Sequence, residues 1–213
     1  MRIKLTLISL LITTFLSAQD TEESGGYDGY VSPENRAYSP GNLYINGGVN
    51  FFYGRLAPRA VSWWAGYEYS STPPLLLSAE FGFDEQFSIG GFLGYRRYGW
   101  SYRDGLNRDY DYNYNMTAFG VRGSFHYVPL ANEHFDIGLE EDHFDFYVTL
   151  FMGFRLTSES ITRPDLRETN TDVRFILGPV LGFRYMFNDT FGAYIEGGRG
   201  SLGYGNLGLT IKI

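Results

Sequence analysis

From Asn42 onward, residues alternate between two kinds of side chain with a period of two, and no other feature constrains the fold as tightly. A strand sends successive side chains to opposite faces, so sustained alternation predicts strands rather than helices. Eight segments carry the pattern: 42–54, 74–83, 87–101, 113–127, 144–158, 171–187, 191–199 and 204–213. In the sixth, Val173, Phe175, Leu177, Pro179, Leu181, Phe183, Tyr185 and Phe187 share one face. Asp172, Arg174, Ile176, Gly178, Val180, Gly182, Arg184 and Met186 share the other. The second segment sets Leu75, Leu77, Ala79, Phe81 and Phe83 against Leu76, Ser78, Glu80 and Gly82. The fourth sets Phe119, Val121, Phe125 and Tyr127 against Gly120, Arg122, Ser124 and His126, and the fifth sets Phe146, Val148, Leu150, Met152 and Phe154 against Tyr147, Thr149, Gly153 and Arg155.

A soluble sandwich also alternates, but its polar face looks into water and is rich in Lys and Glu. Here the less apolar face is built from Gly, Ser, Thr, Tyr and Arg, while the other is nearly unbroken Leu, Ile, Val and Phe. That division suits a wall with lipid outside and a polar lumen inside. The abundance of Gly (27), Tyr (18) and Phe (18) fits the same picture. So does the modest mean hydropathy of −0.21, with no apolar run long enough for a spanning helix beyond the N-terminus. The expected fold class is all-β: a transmembrane, antiparallel, up-and-down barrel of eight strands over residues 42–213.

The connections support a barrel with a short-turn end and a long-loop end. Asp84-Glu85-Gln86 and Asn188-Asp189-Thr190 read as tight turns, whereas 55–73, 102–112 and 159–170 read as long outer loops. Residues 128–143 break the rule: a turn is due there, but the segment is long, so an ordered excursion is expected. Aromatics gather near strand ends, as headgroup regions favour. Trp63, Trp64, Tyr95, Tyr98, Trp100 and Tyr102 are assigned to an outer girdle, and Phe87, Tyr127, Phe144, Tyr185, Phe187 and Phe191 to an inner one.

Residues 1–18 have the form of a signal peptide, with Arg2 and Lys4 before the apolar run Leu5 to Leu16 and a cleavage point after Ser17-Ala18. Its removal takes two cations and no acid, moving the net charge from −7 to −9, so nucleic acid is excluded as a partner. Residues 19–41 are acidic and rich in Gly, Ser and Pro, and read as a flexible periplasmic arm carrying Tyr27, Tyr30 and Tyr38 as docking candidates. Cysteine is absent, which removes disulfides and thiolate metal sites.

The closing segment YGNLGLTIKI places Leu207, Leu209, Ile211 and Ile213 on one face, and resembles the C-terminal sorting strand of outer-membrane barrels, with Ile213 where an aromatic residue is usual. Together with PPLLLSAEFGFDEQFSIGGFLGYRRY (73–98) and FRYMFNDTFGAYIEGG (183–198), it resembles the small eight-stranded barrels of the OmpA, OmpX and OmpW kind, in the variant common in Bacteroidota. The resemblance covers residues 42–213. It implies a bacterial outer-membrane location with both termini periplasmic, and contact with outer-membrane lipid and lipopolysaccharide.

The chemistry-bearing residues are few. Glu80, Arg122, Arg155, Arg174, Arg184, Glu196 and Lys212 fall on lumen positions. Counted from the turns, Glu80, Arg122, Arg184 and Glu196 lie at similar heights, so two acids and two arginines must pair inside a narrow barrel. Glu80–Arg122 and Glu196–Arg184 are the expected pairs, although either acid can serve either arginine. A structural network is the simpler reading, and a gate that exchanges partners the sharper one. Of the histidines, His126 ends the fourth strand at the turn side, away from an outer rim where a lipid hydrolase would work, and His134 and His143 lie in the excursion. His134, Asp136, Glu140, Asp142 and His143 lack recognised metal-ligand spacing. The run from Asp109 to Asn115 lacks the glycine and the closing glutamate of a calcium loop. GGRGSLGYG (197–205) lacks the lysine and following helix of a phosphate-binding loop.

No catalytic, metal or cofactor site is assigned. Tyr44, Phe52, Phe92, Tyr147, Phe151 and Tyr194 are expected to fill the lumen, with Gly48, Gly90, Gly120, Gly153, Gly178, Gly182 and Gly198 making room. The expected function is that of a non-enzymatic, plugged structural or accessory subunit of a larger outer-membrane complex, such as secretion or barrel-assembly machinery. The alternative is a narrow channel for small or hydrophobic solutes.

Overall fold

The computed structural model describes residues 36–51, 68–103, 109–135, 140–163, 166–200 and 202–213. The signal peptide, the arm as far as residue 35 with Tyr27 and Tyr30, Phe52, Trp63, Trp64, Asp136 and the side chain of His134 lie outside what is described. Eight strands close one antiparallel ring in chain order. They are β1 (Leu43–Phe51), β2 (Glu68–Gly82), β3 (Phe87–Arg103), β4 (Asp109–His126), β5 (Phe144–Arg163), β6 (Leu166–Met186), β7 (Phe191–Gly198) and β8 (Gly205–Lys212). Pairing of β1 with both β2 and β8 closes the ring and leaves no edge along its lower half.

The two faces sort as the alternation dictates. Leu75, Leu77, Leu150, Met152, Leu177, Leu181, Leu207 and Leu209 stand on the outer surface, with Leu181 as much as 66% exposed. Their neighbours one residue away, among them Leu76, Phe151, Val180 and Thr210, are buried inside. A monomer with a continuous belt of exposed Leu, Phe, Ile and Val exceeds any ordinary surface patch, and lipid is the solvent that fits it.

Both tight turns form as expected. The Phe83 amide donates to the Phe87 carbonyl at 3.1 Å, and Asn188 Oδ1 accepts from the Thr190 and Phe191 amides at 3.0 and 2.8 Å. The excursion is ordered in part: it holds the helix α1 (Val128–Phe135), with Pro129 in its first turn, where a missing N–H costs nothing.

The long-loop end departs from expectation. Residues 159–163 and 166–170 are a paired ladder rather than a loop, continuing β5 and β6 to Arg163 opposite Leu166. Residues 109–112 likewise extend β4, and 68–73 extend β2 across a bulge between Thr72 and Leu75 that accommodates Pro73 and Pro74. Above an apolar belt, neither face of a hairpin needs to be greasy. Thr, Ser, Asn and Ile then form strands without the hydrophobic contrast that reveals a strand in sequence.

The girdle assignment also changes. Tyr95 faces outward, but Tyr98, Trp100 and Tyr102 lie on the opposite face, stacked on the β4 residues across from them. Ring centroids are 4.5 Å apart for Tyr98–Tyr114, 5.5 Å for Trp100–Tyr112 and 4.7 Å for Tyr102–Tyr110. Counting parity from Tyr95 accounts for the difference, because even-numbered residues of β3 continue the lumen face.

Candidate functional site

The lumen is filled in layers, from the short-turn end upward. The floor is made by the chain entering β1. Ala37, Tyr38 and Ser39 are buried, and Gly41 adopts a φ of +85°, a left-handed conformation that glycine reaches without strain. The Tyr38 ring lies flat on the His126 ring, 3.5 Å between centroids, and its hydroxyl donates to the Phe87 carbonyl at 2.6 Å. Of the three tyrosines named as docking candidates, this one packs inside its own barrel. The excursion straps it down: Arg36 pairs with Glu141 at 2.6 Å, and the Ala37 amide donates to the Glu141 carbonyl at 2.6 Å. Lys212, also on a lumen position, donates from Nζ to the Arg36 carbonyl at 2.7 Å.

Above the floor sits the charged layer, where the expected Glu80–Arg122 pair forms but Glu196 goes to Arg122 rather than to Arg184. Arg122, wholly buried, serves both acids: Nη2 donates to Glu196 Oε1 at 2.6 Å, and Nε lies 3.2 Å from Glu80 Oε1. Its remaining donors reach Ser78 and Thr149 at 3.1 and 3.2 Å. Arg184 pairs instead with Asp145 at 3.0 Å and lies over the Tyr44 ring. Glu80 further accepts from Ser124, Asn46 and Ser88, and Glu196 from Tyr147 and Asn206. Two carboxylates sharing one guanidinium are thereby surrounded by neutral donors, as burial of charge requires.

Asp145 is the residue that sequence reasoning missed. It opens β5 directly after the acidic run Glu140 to Asp142, where it looks like one more solvated turn residue. Parity with Tyr147 and Thr149 is the signal that would have placed it inside. His126 was likewise put at the strand end but not given a partner: Nδ1 donates to Asp145 at 2.8 Å, and Nε2 lies 3.0 Å from Ser88 Oγ. Serine, histidine and aspartate in this order have the spacing of nucleophile, base and orienting acid. The surroundings oppose that chemistry. All three are at least 97% buried, Tyr38 covers the imidazole, and the Glu80 carboxylate lies 3.2 Å from Ser88 Oγ, where an oxyanion would be repelled.

Over the charged layer lies an apolar one: Leu76, Phe92, Met116, Ala118, Phe151, Ile176, Val180 and Leu202. Phe92 and Phe151 meet edge to face at 4.9 Å. The glycines make room as expected. A methyl group at Gly182 would overlap the Tyr147 ring, and one at Gly48 would stand 2.5 Å from the Tyr194 hydroxyl.

Arg155 and Arg174 are not part of the charge network. They line an open vestibule of about 1000 Å³ above the apolar layer, and Arg174, largely exposed, pairs with Asp172. His143 stays apart from the lumen network: it donates from Nδ1 to the Met186 carbonyl at 3.0 Å and lies 3.5 Å from Asp142. Among the described residues no cluster of three or more His, Asp or Glu is arranged for a metal.

No protein-family model and no curated protein matches the sequence. Similar solved structures include Ail, the attachment invasion locus protein of Yersinia pestis, with 12% identity and a TM-score of 0.40 over 80% of this chain and 91% of that one. The N-terminal β-barrel domain of Pseudomonas aeruginosa OprF shows 14% identity and a TM-score of 0.41, covering 82% of this chain and 98% of that one. The outer membrane protein OprG from Pseudomonas aeruginosa shows 13% identity and a TM-score of 0.37, covering 82% and 96%.

Proposed function

We propose that this protein is an integral outer-membrane barrel with a sealed lumen, both termini periplasmic, acting as a non-enzymatic structural or accessory subunit of a larger outer-membrane assembly. The observation that carries the reading is the stack of floor, charged layer and apolar layer, which fills the interior from wall to wall. An eight-stranded barrel has room only for its own inward side chains, and here they are large. A chain that neither conducts nor exposes its serine–histidine–aspartate line must act through its surfaces: the apolar wall, the hairpin extensions and the excursion at the turn end. Ion-pairing of that excursion to the segment before β1 supports a role in presenting the N-terminal arm at the periplasmic face.

Extraction of the tagged full chain from its native membrane in mild detergent tests the accessory role. A partner recovered in fixed stoichiometry, and lost on deletion of residues 128–143, is the expected result. Recovery of the barrel strictly alone contradicts it.

A further inference from the structure

The three longest strands, β4, β5 and β6, are neighbours in the ring and carry their outer face well past the apolar belt. On β5 the apolar outer residues rise about 25 Å from Phe146 to Leu156, which is enough for the hydrocarbon of a membrane. Across the three strands the belt ends in the rows Phe119–Phe154–Phe175 and Thr117–Leu156–Val173. Above it the same outer parity continues as three further rows in register. These are Asn115–Ser158–Thr171, Asn113–Ser160–Thr169 and Asp111–Thr162–Arg167.

The plateau made by these rows is neutral at its centre and charged only at the two sides of its top row. Asp111 stands on the β4 side and Arg167 on the β6 side, and neither has an ion-pair partner among the described residues. The Ser, Thr and Asn side chains between them make no hydrogen bond to the described residues either. A hydroxyl or amide both donates and accepts, so it can meet its own counterpart across a symmetry axis, which a charged group cannot. Two copies inserted in the same direction in one membrane are related by a two-fold axis along the membrane normal. That axis exchanges left and right. With Ser160 on it, the β4 flank of each copy faces the β6 flank of the other, and Asp111 meets Arg167 twice. Arg97, on β3 beside Asn115, lies outside this three-strand face.

We infer that the plateau is a self-association surface, on which a second copy of this chain docks face to face. Asn113, Ser158, Ser160 and Thr169 supply the neutral centre, and reciprocal Asp111–Arg167 ion pairs fix the two sides. Below the plateau the belts of the two copies continue side by side, where apolar contact in lipid adds packing but no hydrophobic drive. The polar rows therefore decide which walls meet. The inference rests on the membrane placement proposed above and is independent of whether a different protein also binds the barrel.

The chain has no cysteine, so a single introduced thiol reports on a single position. Two differently tagged copies of the full chain, each carrying Ser160→Cys, are produced together in one membrane and treated with a short bis-maleimide. A cross-linked species that carries both tags under denaturing conditions is expected. Tyr204→Cys, exposed at the same end on the β7–β8 side of the ring, should give none. Added to Ser160→Cys, either Asp111→Arg or Arg167→Asp alone should lower the yield about tenfold. The two together should restore it, a rescue that damage to the fold cannot produce. The heat-shifted gel band follows insertion, and recovery of other proteins in mild detergent is scored separately. Failure of membrane placement or of the accessory role is thus distinguishable from failure of self-association. The proposal is overturned by equal cross-linking from Ser160→Cys and Tyr204→Cys, by the absence of any double-tagged species, or by a Ser160 adduct with a different protein in its place. It is equally overturned if the single and double charge variants behave alike.

Discussion

Replacing Glu80 and Glu196 together by Gln should destabilise the barrel by about 3–5 kcal/mol, a large share of the stability of a domain this size. Both carboxylates terminate on Arg122, which is wholly buried. Gln preserves shape and some hydrogen bonding, so what disappears is charge compensation. The guanidinium is left ionised with only Ser78, Thr149 and neutral amides around it. Breaking such a group by removing one kind of partner costs much more than replacing the whole of it by neutral residues. Arg122→Met added to the double variant should therefore recover most of the stability, since Phe151 already packs against the same volume. Urea unfolding in detergent micelles measures all three proteins. A double variant within about 1 kcal/mol of wild type would mean that the network fills space without bearing on stability.

Leu150→Arg should cost about 2–4 kcal/mol in a lipid bilayer, and Ser160→Arg on the same strand about 0–1. Leu150 is half exposed on the outer face of β5, in the middle of the run Phe146, Val148, Met152, Phe154 that forms the apolar belt. Ser160 has the same parity ten residues further on, in the ladder that extends above the belt. The pair separates depth in the membrane from position on the sheet: one substitution places a cation in hydrocarbon, the other in water or headgroups. Equal, small effects of the two in refolding into liposomes would remove lipid from the outer wall and with it the transmembrane reading.

These two predictions draw on different grades of legibility. The belt around Leu150 and the inward set of Glu80, Arg122, Arg184 and Glu196 could be read directly, because within a membrane the two faces of a strand differ in chemistry and period two becomes visible. Where that contrast ends, so does the signal. The ladder that pairs Glu159–Arg163 with Leu166–Asn170 is mostly polar, with Ile161 and Leu166 isolated among Ser, Thr, Glu, Asn and Arg, and it took backbone pairing to show that it is strand. The stacked series from Tyr98 to Tyr112 has aromatics at every second position, and parity counted from Tyr95 would have placed it on the lumen face, but clustering near a strand end made a girdle the natural expectation. Pairing partners were the least accessible. Heights along strands locate charges to within a residue or two, which brings Glu196 near both arginines but does not choose between them; Asp145, hidden in an acidic run, made the choice by taking Arg184. The floor depended on chain reversal at Gly41, which returns Tyr38 into the barrel that the same chain goes on to build.

Electrical recording across a planar bilayer tests the sealed-lumen account most directly. Full-length protein, shown by the heat-shifted gel band to be folded in the same proteoliposomes, is fused into the membrane at high salt and held at voltages of both signs. Three filled layers, the uppermost apolar around Phe92 and Phe151, predict no sustained conductance at either polarity. Stable, well-resolved current steps from the wild-type chain would contradict the seal and establish a channel in its place.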